Sequence, residues 1–206
     1  MSETKLKGKK TSEAKKVILD PHPTLHQKCQ AVDPKSKKVR ELLKTMRATL
    51  QEWEAGEKRY VSVGLAAPQI NEPYQIVLIR SNFNDYDKKD FYALINPEIT
   101  KYEGAPFYED ESCMSVHGIH AKVPRYPKIK LKALDETGNE IKFTARGYEA
   151  KVIQHEVDHI NGLLFLDRAL TESQGGYFKE YDPKTDKVTD ITQAEVQKRG
   201  LMKHPA

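Results

Sequence analysis

Polar and apolar residues alternate with several different periods along this 206-residue chain. Val39, Leu42, Leu43, Met46, Leu50 and Trp53 recur at helical spacing, which predicts a long amphipathic helix. Asp33-Pro34 offers a cap followed by proline at the first helical position, and Gly56 marks the end. One apolar face implies packing against another layer, with a sheet as the expected partner. Runs with strand character follow: QIVLI (75–79), YALINPEI (92–99), KIKLKAL (128–134) and EIKFTA (140–145). The segment DETGN joins the last two as a hairpin turn. Residues 146–161 return to a helical pattern rich in titratable groups. Further on, YFKEY and KVTDI flank DPKT as a second hairpin, and Thr192 with Glu195 forms a capping box for a short helix. The run ILDPHPTLHQKCQAV (18–32), with its two prolines, reads as an extended arm. The expected class is α+β: mostly antiparallel strands packed around a central helix at residues 146–161.

Composition narrows this picture. The length suits one domain with a real core. No apolar run approaches the ~20 residues that a membrane helix needs, so no membrane partner is expected. The N-terminus lacks the apolar region of a secretory signal, which makes the cytoplasm the expected compartment. The net charge of +4 is unevenly placed, with lysines crowded into KLKGKKTSEAKK (5–16). Residues 1–17 therefore read as a solvated, disordered basic tail; a weak contact with ribosomal RNA or another polyanion is the sharper alternative. Nothing in the tail resembles a nucleic-acid motif, so no sequence-specific nucleic-acid partner is expected. Two cysteines do not make a disulfide framework. Cys29 reads as a filler, whereas Cys113 lies in the titratable segment EDESCMSVHG.

The strongest chemical signal is QHEVDH, residues 154–159. On a helix, His155 and His159 project from one face, where two imidazoles can grip one divalent cation. Glu156 sits where a carboxylate can reach a metal-activated water. Asp158 points away from that face and is read as orienting a neighbour. A catalytic site takes a third protein ligand. Glu172, Glu180, Glu195 and His204 are downstream candidates, and Cys113 is an upstream one.

Three segments together resemble the peptide deformylases. The family's GxGLAAPQ reads SVGLAAPQ at 62–69, its EGCLS reads ESCMS at 111–115, and its QHExDH reads QHEVDH. The stretches DPHPTLHQKCQAV, VPRYPKIKLKALDETG and HINGLLFLDR also fit, so the resemblance spans roughly residues 18–170. It implies a peptide-deformylase-like α+β catalytic domain at 18–170, followed by a C-terminal extension, a hairpin and short helix, at 171–206. It implies removal of the formyl group from N-formylmethionyl peptides emerging from ribosomes, with release of formate. It further implies Cys113, His155 and His159 as metal ligands, with Fe²⁺ native and Zn²⁺, Ni²⁺ or Co²⁺ able to replace it. Glu156 would be the acid/base, with Gln69 and the backbone N–H of Met114 binding the oxyanion. Val63 and Gly64 would run along the substrate peptide. Two positions depart from the pattern: Ser62 and Ser112 stand where glycine is usual, which matters if either backbone needs a positive φ.

Other readings concern the supporting residues. Glu111 and Arg125 are expected to pair and brace the strand carrying Cys113. Val152 and Tyr148, one and two turns before His155, are expected to line the pocket for the methionine side chain. Two rival functions stand beside the leading one. The first is a metal-dependent amidase acting on another N-acyl group or a peptide. The second is a catalytically silent relative that binds the ribosome.

Overall fold

The run Ile76–Ile79 is apolar without alternation because both faces of its strand are covered. The computed structural model describes residues 13–56, 61–85 and 87–202. In chain order the strands are β1 (Gly64–Ala66), β2 (Ile76–Arg80), β3 (Phe91–Glu103), β4 (Phe107–Cys113) and β5 (Val116–Arg125). Strands β6 (Lys128–Leu134), β7 (Glu140–Arg146), β8 (Phe178–Asp182) and β9 (Lys187–Ile191) follow. The helices are α1 (Lys37–Gly56), α2 (Gly147–Ile160) and α3 (Gln193–Lys198). Strands β1-β2-β3-β6-β7 form one antiparallel sheet in that order, and β4-β5-β8-β9 form another.

Helix α1 lays Val39, Leu42, Leu43, Met46 and Leu50 on Ile76, Leu78, Ala93 and Ile95. The intervening residues Val77, Ile79 and Leu94 face α2, which supplies Val152, Ile153, Val157 and Ile160. The five-stranded sheet is thus filled on both sides, and truncating a buried residue such as Leu78 would cost about 2–5 kcal/mol. A third core joins Val116, Ile119, Ala121 and Val123 of β5 to Leu164–Leu166, Phe178 and Val196. These antiparallel sheets around α2 are the α+β class expected from the pattern.

Differences from the expectations have local causes. Helix α1 starts at Lys37, because Ser36 Oγ caps it by accepting from the Val39 amide at 3.2 Å. Asp33 instead closes the preceding turn, accepting from the Lys35 amide at 3.0 Å. The arm is interrupted by a 3-10 turn at Pro23–His26 that buries Leu25 completely. Strand β4 carries no clear strand pattern, being mostly exposed and polar, whereas β5, which contains Gly118 and Pro124, buries every second residue from Ile119 to Arg125. Residues 1–12 of the expected tail lie outside the described residues. The Lys15 amide donates to Thr49 Oγ1 at 2.9 Å, and the Ile18 amide donates to the Gln69 carbonyl at 2.8 Å. No helix among the described residues is long and apolar enough to cross a membrane.

Candidate active site

Strand β4 ends at Cys113, and a tight turn through Met114 and Ser115 returns the chain at Val116, the partner of Cys113 in the register. This turn meets α2 beside a cavity of about 480 Å³. One helical turn separates His155 from His159, and their rings meet edge-on with centroids 5.0 Å apart. A ligand atom from each of Cys113, His155 and His159 lies within 4.8 Å of the others, and Cys113 Sγ is 3.2 Å from His159 Nε2. The downstream candidates are occupied elsewhere: Glu180 pairs with Arg199, Glu195 caps α3, and Glu172 accepts from the Gln193 amide. His204 lies outside the described residues.

Neighbouring side chains fix these candidate ligands. Glu111 Oε2 accepts from His155 Nδ1 at 2.9 Å, and a carboxylate only accepts, so Nδ1 carries the proton. That leaves Nε2 of His155 for the cluster. Glu111 also receives Arg125 Nε at 2.8 Å and Nη2 at 2.9 Å. Arg125 Nη1 reaches Asp158 Oδ2 at 2.6 Å, and Asp158 Oδ1 accepts from Arg168 Nη2 at 2.9 Å. Glu111, Arg125 and Asp158 are all buried. Burial alone would raise the Glu111 carboxyl, but the hydrogen bonds of Arg125 and His155 outweigh it and hold the group well below the usual carboxylate range.

Gln69 is buried in the 3-10 turn Ala67–Ile70. Its Oε1 accepts from the Ala66 amide at 2.8 Å, which commits Nε2 to the other side. There Nε2 lies 3.4 Å from Cys113 Sγ and 3.3 Å from Ser115 Oγ. Glu156 is buried, and its Oε2 has no hydrogen-bond partner among the described residues. Burial pushes its carboxyl up to about 7. Its Oε1 sits against Gly64, where an added Cβ would stand 2.5 Å away. Gly64 is therefore needed for the close approach of that carboxylate.

Val63, Met114, Tyr148 and Val152 all line the cavity. The Val63 carbonyl is taken up by the Arg80 amide at 2.9 Å, inside the sheet. Tyr148 is half-exposed, and Phe83 meets it edge-on at 5.2 Å. Neither serine departure strains the backbone: among the described residues the positive-φ non-glycines are Asn71, Asn96 and Asp186. The buried Ser62 hydroxyl lies 3.9 Å from the Met114 sulfur, and its carbonyl accepts from Arg80 Nε at 2.8 Å.

Sequence reasoning passed over several contributors. The Ser115 amide points at Cys113 Sγ from 3.4 Å. Gln154 ties α2 to Tyr126, accepting from its amide at 3.0 Å and donating to its carbonyl at 2.9 Å. Ser115, Gln154 and Arg168 all lay within the quoted motifs, and their polarity beside apolar neighbours was the available signal. Tyr181 and Pro183, from the C-terminal hairpin, also line the cavity, and no local pattern announced them.

The donor set fits a divalent cation. One sulfur and two imidazole nitrogens converge, with a further buried carboxylate beside them whose Oε2 has no hydrogen-bond partner among the described residues. Burial holds the His159 imidazole well below its usual range, in the neutral form that metal binding needs.

Comparisons with known proteins agree with this geometry. The sequence model of the family described as polypeptide deformylase matches residues 14–174. A peptide deformylase of Staphylococcus epidermidis is 40% identical over 162 residues, covering 74% of this chain and 88% of that protein. One from Dictyoglomus thermophilum is 39% identical over 151 residues, covering 73% and 90%. Among solved structures, a peptide deformylase from Synechococcus elongatus in complex with actinonin superposes with a TM-score of 0.67 at 28% identity, covering 77% of this chain and 80% of that one. A Met-Ala-Ser-bound class I type b peptide deformylase from Acinetobacter baumannii gives 0.67 at 28% identity, covering 76% and 99%. With three side chains that could hold a metal ion, a buried carboxylate beside them and relatives of this similarity over most of its length, the chain belongs to the polypeptide deformylase family.

Proposed function

We propose the following division of labour in this chain for the family reaction, which removes the formyl group from nascent N-formylmethionyl peptides and releases formate. Cys113, His155 and His159 hold one divalent cation. When bound, it supplies Lewis acidity, acidifying water and polarising the formyl carbonyl. Fe²⁺ is the ion assigned here; a thiolate with two imidazoles also suits Zn²⁺, Ni²⁺ or Co²⁺.

Glu156 accepts the proton of the attacking water and passes it to the departing amine. Its burial favours both roles, because a carboxyl poised near 7 takes up and gives back a proton readily near neutral pH. The Gln69 amide, oriented by the Ala66 N–H, donates to the developing oxyanion, and the Met114 N–H is the second donor. Strand β1 is the edge of its sheet, so the substrate backbone aligns along Val63 and Gly64. Tyr148 and Val152 receive the methionine side chain. The cytoplasm is the proposed compartment.

The observation that carries this reading is the buried Glu156 carboxylate, unpartnered at Oε2 among the described residues and adjacent to the Cys113–His155–His159 cluster. Formate release from formyl-Met-Ala-Ser by the Ni²⁺-loaded protein tests it, with acetyl-Met-Ala-Ser and Glu156→Ala as controls. Formate from wild type alone supports the assignment. Equal turnover by Glu156→Ala would remove Glu156 from its role, and preference for the acetyl peptide would remove the substrate.

A further inference from the structure

We infer that the β8–β9 hairpin forms a binding wall for the substrate peptide three to four residues from its formyl end, with Tyr181 and Pro183 as the contact residues. The inference rests on the deformylase reading and adds a specificity element to it. The hairpin lies beyond residue 174, where the match to the family's sequence model ends. It nevertheless lines the same cavity as Cys113, His155 and Glu156.

Sheet geometry sets which part of the peptide it meets. Cys113 pairs with Val116 across the β4–β5 turn. Ile119 pairs with Glu180, so Gly118 stands opposite Tyr181. From Cys113 to Tyr181 is two strand spacings across the sheet and two residues along it, a separation of about 12 Å. An extended peptide advances roughly 3.3 Å per residue, so its third and fourth residues reach the hairpin.

The wall is held in place. Phe178 is buried in the third core, and Glu180 grips Arg199 of the α3 end at 2.6 and 3.0 Å. The Tyr181 hydroxyl donates to Asp186 at 2.9 Å, which fixes the ring. Gly118, at φ +73°, leaves room for the Tyr181 carbonyl, which an added Cβ would approach to 2.8 Å. A surface ordered before binding loses little entropy on contact. Tyr181 and Pro183 both line the cavity and offer it an apolar wall, so the recognised group is a large apolar or aromatic side chain.

The test compares formyl-Met-Ala-Ser-Phe with formyl-Met-Ala-Ser-Gly, with formyl-Met-Ala as the common reference, on the Ni²⁺-loaded full chain. Wild type is expected to favour the phenylalanyl peptide about fivefold in kcat/KM, through KM, as one partly buried apolar side chain contributes. Tyr181→Ala collapses that ratio towards one, and Tyr181→Phe, which keeps the ring, retains it. Pro183→Ser, on the exposed turn, lowers the ratio as well and serves if Tyr181→Ala does not fold. Equal use of the two peptides by wild type, or a preference that survives both Tyr181→Ala and Pro183→Ser, would overturn the inference while leaving deformylation of formyl-Met-Ala intact. Absence of formate from every substrate would instead overturn the activity, and this inference with it.

Discussion

Glu111 accepts a hydrogen bond from His155 at 2.9 Å, so a strand residue outside the ligand set decides which imidazole nitrogen faces the cluster. The same carboxylate is clasped by Arg125 through two parallel bonds. Removing its charge should therefore act on metal binding and on the fold together. Glu111→Gln is expected to lower Ni²⁺ affinity about 10–100-fold, the usual consequence of losing such a partner. Calorimetric titration of the metal-free protein measures it; unchanged affinity would show that His155 is oriented by something else.

Acid should expose the same group. The Glu111 carboxyl is held well below its unfolded value of about 4.3. A depressed carboxyl contributes stability that is complete above the unfolded value and disappears as pH falls towards the folded one. Metal-free wild type should thus lose stability between about pH 5 and pH 2 more steeply than Glu111→Gln does. Denaturant midpoints across that range decide the matter, and parallel curves would contradict it.

Gly64→Ala places a methyl group where the Glu156 carboxylate now lies, 2.5 Å from Oε1. The carboxylate has to move, because the three heavy atoms nearest that methyl group all belong to Glu156. The expected result is a fall in kcat of about 10²-fold, the scale associated with displacing a catalytic group by ~1 Å. Metal content by elemental analysis should stay at one ion per chain. Loss of the metal, or unaltered kcat, would argue against this account.

The two cysteines should separate chemically. Cys29 is buried, and burial pushes its thiol up to about 11. Cys113 opens onto the cavity. Iodoacetamide at pH 8 is expected to modify Cys113 in chelator-treated protein, to spare it in the Ni²⁺ form, and to leave Cys29 intact in both. Peptide mass spectrometry reads the outcome directly, and equal labelling of Cys113 in the two forms would count against its role as a ligand.

Legibility in the sequence followed the range of the interactions involved. Helix α2 was readable because His155 and His159 express a local spacing, and β6–β7 because DETGN joins two apolar runs. The β4–β5 pair was passed over, since an edge strand such as FYEDESC needs no apolar alternation and the short alternation Ile119, Ala121, Val123 in β5 is flanked by glycine and proline. The α1 cap was misplaced by three residues because Asp33 and Ser36 both cap local turns, and only the backbone path decides which one starts the helix. Glu111 with Arg125 was proposed as a pair from hairpin spacing. The bond to His155, 44 residues away in sequence, has no local trace. The reach of Tyr181 into the cavity likewise depends on sheet order, which no single segment encodes.

The cluster's three side chains come from separate halves of the molecule. Cys113 belongs to the four-stranded sheet and packs on the core beneath it, whereas His155 and His159 ride on the helix that covers the five-stranded sheet. An ion gripped by all three is thus a rivet across the seam between two hydrophobic cores. Loading and tertiary stability become one equilibrium there, because whatever binds the joined form and not the parted one holds the halves together. A metal held there would double as the fastener that keeps the cleft in shape.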